Sequence, residues 1–154
     1  MKLGIDTNVL LQAHLPALDR HELAHRYLNR QLTLPGVTLV LTPLVLHEFV
    51  HVVTDGRRFD PPVTTTEALA IARSYLGRSN VECISTDEAS LLLALDLLGR
   101  HDLGRKRIAD TLFAATLLAH GVHRLVTFNV SDFEAFEDLT AVEPVLRGGA
   151  PDDL

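Results

Sequence analysis

Apolar and polar residues follow two rhythms along this chain. Apolar runs of strand length at 2–5, 38–41, 81–84, 124–127 and, more weakly, 141–145 are separated by longer stretches. In those stretches apolar side chains recur at the three-to-four-residue spacing of a helix face, which predicts helices over 8–14, 20–32, 43–54, 65–77, 86–98 and 107–120. Pro43 suits a first helical turn, where its missing N–H is not needed, and Gly121 follows the last apolar face of its helix as a stop. Ser85-Thr86-Asp87-Glu88 offers capping side chains followed by acids that the helix dipole favours. Strands alternating with helices of this length predict one α/β domain over 1–146, a mainly parallel sheet of about five strands covered on both faces. The Gly-, Pro- and Asp-rich residues 147–154 read as a flexible tail.

The pattern also places acids where apolar runs stop. Asp6 follows Lys2-Leu3-Gly4-Ile5, and Asn129 with Asp132 follow Leu125-Val126-Thr127-Phe128. Glu48 lies among Leu44, Val45, Leu46, Phe49 and Val50, and Asp110 within Ile108-Ala109-Asp110-Thr111-Leu112-Phe113. An ionised carboxylate in apolar surroundings is costly unless paired, hydrogen-bonded or bound to a cation. Ligands of parallel sheets bind beyond the carboxyl ends of the strands, so such a sheet would gather these dispersed acids at one edge. Each has a simpler reading on its own: Asp6 as a helix cap, Asp110 as a first-turn acid, Asp132 as a turn residue, and Glu48 as part of a solvated stripe.

Composition narrows the classes. The 154 residues carry a formal charge of −6, which argues against bulk positive charge as the grip on nucleic acid. Local basic clusters remain, at Arg105-Lys106-Arg107 and at Arg57-Arg58. The single cysteine, Cys83, has no partner for an intrachain disulfide, and its apolar run predicts a buried packing thiol. The amino end reaches Asp6 too soon for a signal-peptide core, and no run approaches a membrane span, so a cytoplasmic protein is expected.

His-Glu-x-x-His occurs twice, at His21–His25 and at His47–His51. On a helix the two imidazoles share a face and can hold Zn²⁺, with the intervening Glu as general base, so a zinc-dependent metalloprotease using His47, Glu48 and His51 is a competing reading. The extended zinc motif would have Gly and His where this chain has Thr54 and Arg57, leaving a distant Glu67 or Glu82 as third ligand. A zinc protease would also leave Asp6, Asp110 and Asp132 without work.

Taken in order, Leu3-Gly4-Ile5-Asp6-Thr7-Asn8, then Glu48 after the second strand, then Ile108-Ala109-Asp110-Thr111, then Thr127-Phe128-Asn129-Val130-Ser131-Asp132, the chain resembles the PIN-domain ribonucleases, in particular the VapC toxins of toxin–antitoxin pairs. The likeness spans roughly 1–145. It implies a three-layer α/β/α sandwich whose acids hold Mg²⁺ or Mn²⁺ and hydrolyse RNA, leaving a 5′ phosphate and a 3′ hydroxyl. Asp6, Glu48 and Asp110 match the family's acids, Asp6 and Asp110 as direct ligands and Glu48 as ligand or water-orienting group. Asn129 stands where many members have Asp, with Asp132 as the acid three residues on. Thr7, Asn8 and Thr127 match supporting polar positions. Arg105, Lys106, Arg107, Arg57 and Arg58 are the expected RNA contacts, and the family further implies a homodimer and a small antitoxin partner. A non-catalytic RNA-binding domain of the same fold is the alternative that the uncharged Asn129 raises. Haloacid-dehalogenase-like phosphatases would need a second Asp where this chain has Asn8.

Overall fold

The computed structural model describes residues 1–146; the expected tail at 147–154 lies outside the described residues. The chain runs β1 (Lys2–Ile5), α1 (Thr7–His14), α2 (His21–Gln31), β2 (Thr38–Leu41), α3 (Pro43–Val53), α4 (Thr65–Leu76), β3 (Val81–Cys83), α5 (Glu88–Arg100), α6 (Ile108–Ala119), β4 (Arg124–Val126) and β5 (Thr140–Val142). Short 3-10 turns sit at Arg105–Arg107 and Val130–Asp132. One sheet of order β3-β2-β1-β4-β5 holds all five strands, and every pairing is parallel, with Leu3 opposite Leu39 and Ile5 opposite Val126.

The connections fix the layers. From β1 through β2 to β3 the chain steps one way across the sheet, then returns from β3 to β4 on the other side of β1. Right-handed crossovers therefore place α1–α4 on one face and α5–α6 on the other. Helix packing agrees: α1 lies against α2 and α3, α3 against α4, and α5 against α6. The central strands β1, β2 and β4 are buried between them, with Ile5, Val40, Leu125 and Val126 wholly covered. Among the described residues no helix is long and apolar enough to cross a membrane.

Element ends follow their caps. Thr42 accepts from the Val45 N–H ahead of Pro43, and Thr64 with Glu67 forms a reciprocal capping box on α4. Asp87, accepting from the Ser90 N–H at 2.8 Å, starts α5 two residues later than the periodicity predicts. Thr86 is instead spent on Thr116, 2.9 Å away on α6. Gly121 takes φ of 71° just past α6, a left-handed stop that a side chain would strain.

Gly4 lets a helix layer pack closely on the central strand. A Cβ there would lie 2.8 Å from Leu117 Cδ1 and 3.3 Å from the Arg124 carbonyl, so glycine lets α6 press on β1.

One feature departs from expectation. Cys83 is exposed: β3 is an edge strand, and the apolar run around the thiol is buried at Ile84 instead. On α5, Ala94 and Leu97 face the core while Leu91, Leu92 and Leu95 are 48%, 60% and 57% exposed.

Candidate active site

Asp6 sits where β1 becomes α1. Its N–H continues the sheet to the Val126 carbonyl at 3.0 Å, and its own carbonyl receives the Val9 and Leu10 N–H groups that open the helix. The backbone thus caps α1, but the carboxylate makes no cap bond. It turns the other way, where Oδ2 accepts from Thr127 Oγ1 at 2.7 Å and from Asn8 Nδ2 at 2.9 Å. Asn8 also donates to Thr127 Oγ1 at 3.0 Å and accepts the Phe128 N–H at 3.1 Å, while the Asn129 N–H reaches Thr127 Oγ1 at 3.0 Å. Thr127 is wholly buried, so this closed network holds the ends of β1 and β4 in one geometry.

The other acids arrive from three more elements. Glu48, midway along α3, accepts from Thr7 Oγ1 at 2.8 Å, which draws it toward Asp6. Asp110 is in the first turn of α6, and Asp132 ends the 3-10 turn after β4. The Asp6 carboxyl titrates above the usual range: burial is the main cause, the Thr127 and Thr7 hydrogen bonds oppose it, and the charges of Glu48 and Asp110 add to it. Asp110 is also raised, by burial first and then by Asp132 and Glu48, against the pull of Arg107. These mutual charge effects place Asp6, Glu48, Asp110 and Asp132 within one electrostatic neighbourhood at the carboxyl edge of the sheet.

The donor set fits a hard divalent cation. Among the described residues no three His, Cys, Asp or Glu side chains form a ready-made cage. Mg²⁺ does not require one, since it keeps several waters and uses one or two carboxylates. Negative charge gathered at Asp6 and Asp110, where burial first and like-charged neighbours second disfavour the ionised carboxyls, is what an oxygen-loving ion would relieve.

Arg107 differs from the solvated RNA contact its position in a basic run suggests. Its Nη1 lies 2.5 Å from Asp132 Oδ1 and 3.8 Å from Asp110 Oδ2, and Nη2 donates to the Ser131 carbonyl at 3.3 Å. Arg105 and Lys106 are exposed on the same turn. Arg57 and Arg58 follow the far end of α3, with Arg57 forked on Asp55 at 3.0 Å through both Nε and Nη2, and no described contact joins them to the acids. The Arg107–Asp110 pair has i,i+3 spacing, whereas the contact to Asp132 spans 25 positions. Arg20, which has the sequence surroundings of a solvated helix start, stacks 4.8 Å above the Phe128 ring beside Asn129.

The histidine motifs do not assemble a zinc site. His47 and His51 are exposed on α3, and Glu48 is bonded to Thr7. Both notional third ligands are engaged elsewhere, Glu67 in its capping box and Glu82 in an ion pair with Lys2 at 2.7 Å. In the first copy, His21 Nδ1 and His25 Nδ1 donate to the Gln12 and Ala13 carbonyls, fastening α2 to α1.

Known proteins share this fold. The chain is 28% identical over 141 residues to Ribonuclease VapC33 of Mycobacterium tuberculosis, covering 91% of this chain and 96% of that one. Its fold matches the crystal structure of M. tuberculosis VapC20, described as a sarcin-ricin loop cleaving toxin, with a TM-score of 0.65 at 19% identity over 87% of this chain and 95% of that one. It likewise matches VapBC2 from Rickettsia felis bound to a DNA fragment from its promoter, with a TM-score of 0.65 at 19% identity over 93% of this chain and 98% of that one. The PIN domain family model matches residues 4–139, which takes in Asp6, Glu48, Asp110 and Asp132 together with the sheet edge that gathers them, and the chain belongs to the PIN domain family.

Proposed function

We propose that this protein is a Mg²⁺- or Mn²⁺-dependent endoribonuclease and the toxin of a toxin–antitoxin pair. The observation that carries the reading is the convergence of Asp6, Glu48, Asp110 and Asp132 from four separate elements onto the carboxyl edge of the sheet. Arg107 offsets Asp132 and Asp110 only in part, and Asp6 and Glu48 have hydrogen bonds but no described cation beside them, so stability alone does not account for the gathering.

Asp6 and Asp110 hold the ion, and Thr127 and Asn8 fix the Asp6 carboxylate so that it need not reorganise when the ion arrives. Glu48, steadied by Thr7, is the remaining ligand or orients the attacking water. Asp132 completes the set where Asn129 brings no charge, which supports a catalytic domain over a purely RNA-binding one. The ion supplies neutralisation of charge on the scissile phosphate and easier deprotonation of water. Exposed Arg105 and Lys106 offset the overall negative charge beside Asp110 and receive the RNA backbone. Arg57 and Arg58 are a weaker choice for that work because Asp55 already neutralises part of their charge.

The likeness to VapC ribonucleases and VapBC assemblies supports a small antitoxin as partner and the cytoplasm as the place of action. The exposed Leu91, Leu92 and Leu95 stripe supports a homodimer formed through α5. Incubating the purified protein with folded RNAs tests the activity. Internal cuts with 5′ phosphate and 3′ hydroxyl ends in Mg²⁺, and none in EDTA, are expected; Zn²⁺-dependent peptide hydrolysis with the RNA left intact contradicts the proposal.

A further inference from the structure

We infer that Arg107 is a built-in counter-cation of the acid cluster, holding Asp132 and Asp110 until a divalent ion arrives and giving way to it. The inference rests on the metal-dependent reading of the site and adds a device to it. Four carboxylates share this edge, and the described cation reaching into them is one guanidinium, seated on Asp132 at 2.5 Å and within 3.8 Å of Asp110. Arginine stays protonated, so it cannot vacate the site by losing charge. It can vacate it by moving.

The geometry provides for movement of the side chain around a fixed anchor. Thr111 Oγ1 donates to the Arg107 carbonyl at 2.7 Å, tying the backbone to α6 at the start of the helix that carries Asp110. The side chain itself is one-third exposed. Its grip is graded: short to Asp132, long to Asp110, with a weaker bond to the Ser131 carbonyl. An ion that takes Asp110 as ligand competes for oxygens that the guanidinium already attracts, and the two cations repel each other at this range. Arg107 therefore sets the ion-free shape of the site and raises the concentration of ion needed to fill it. It is a positioning residue rather than a ligand, and its charge stays next to Arg105 and Lys106 when displaced.

Calorimetric titration of the full chain with Mn²⁺ alone tests this, comparing wild type with Arg107→Ala and Arg107→Lys. Arg107→Ala should bind Mn²⁺ roughly tenfold more tightly, the scale of losing one partly exposed charge-assisted contact. Arg107→Lys, which keeps the charge without the fork, should fall between, and it carries the test alone if the alanine variant does not fold. Thermal unfolding gives a second readout. Ion-free Arg107→Ala should melt below wild type, and saturating Mn²⁺ should close the gap, whereas a purely structural arginine would leave the gap unchanged. Unaltered or weaker Mn²⁺ affinity in both folded variants overturns the inference while leaving the metal site standing. Failure of the wild type to bind Mn²⁺ at millimolar concentration overturns both.

Discussion

Thr127 donates its hydroxyl to Asp6 Oδ2 across 2.7 Å, joining residues 121 positions apart in sequence. Because Thr127 is wholly buried, removing the hydroxyl leaves the Asn8 amide and the Asn129 N–H short of an acceptor and Asp6 short of a donor. Thr127→Val should cost about 1–3 kcal/mol of stability in denaturant titrations. It should also slow RNA cleavage by roughly 10- to 100-fold as the carboxylate loses its orientation. Thr127→Ser, which restores the hydroxyl, should recover most of both.

Asp110 predicts a conflict between stability and activity. Its carboxyl titrates above the ordinary value, chiefly through burial. A group raised on folding contributes stability that is present below its unfolded pKa and lost as pH rises through the folded pKa. At neutral pH the ionised Asp110 is therefore a cost in the ion-free protein. Asp110→Asn should raise the ion-free melting temperature modestly, since its partial exposure keeps the effect small. The same variant should lose Mn²⁺-induced stabilisation. Scanning calorimetry in EDTA and in Mn²⁺ measures both.

His14 predicts acid sensitivity away from the site. Its Nε2 meets the Tyr75 hydroxyl at 2.9 Å, and its ring lies edge-on to Phe49 at 5.5 Å. Burial, with the nearby His25 and His21 adding charge, lowers its pKa from 6.5 to about 4. The unfolded chain then binds the proton more readily, so stability is full above 6.5 and falls as pH drops toward 4, by on the order of 3 kcal/mol. His14→Gln should flatten the stability–pH curve across that window. An unchanged slope would show that other groups govern it.

The leucine stripe of α5 predicts the state of association. Leu92 and Leu95 lie one turn apart and are each more than half exposed. Leu92→Glu with Leu95→Glu should convert a dimer to monomer in light scattering while leaving the circular dichroism spectrum intact. A wild type already monomeric at high concentration would remove the homodimer from the proposal.

Much of this was legible in the chain because the strands are short, apolar and separated by strongly periodic helices. The ends of β1 and β2 follow directly from Ile5 to Asp6 and from Leu41 to Thr42, where apolar character stops. What the sequence could not convey depends on packing. Asp6 has the composition of a helix cap, yet its carboxylate is recruited by Thr127 from the far end of the chain. Arg107 reads as one of three solvated bases until the turn at Val130–Asp132 brings Asp132 beneath it. Cys83 reads as core because its neighbours are apolar, but the strand order puts β3 at an edge. The acids were found as a set because carboxylates at strand ends are anomalous one by one, and a parallel sheet gives them a common destination.

The most direct measurement is cleavage of one defined RNA by wild type, Asp6→Asn and Asp110→Asn side by side, across Mg²⁺ and Mn²⁺ concentrations, with folding checked by circular dichroism. The account predicts ion-dependent internal cleavage by wild type and a loss of about a thousandfold or more in each folded variant, as expected when a ligand to a catalytic ion is removed. Cleavage that persists in EDTA, or that survives both substitutions, would contradict it.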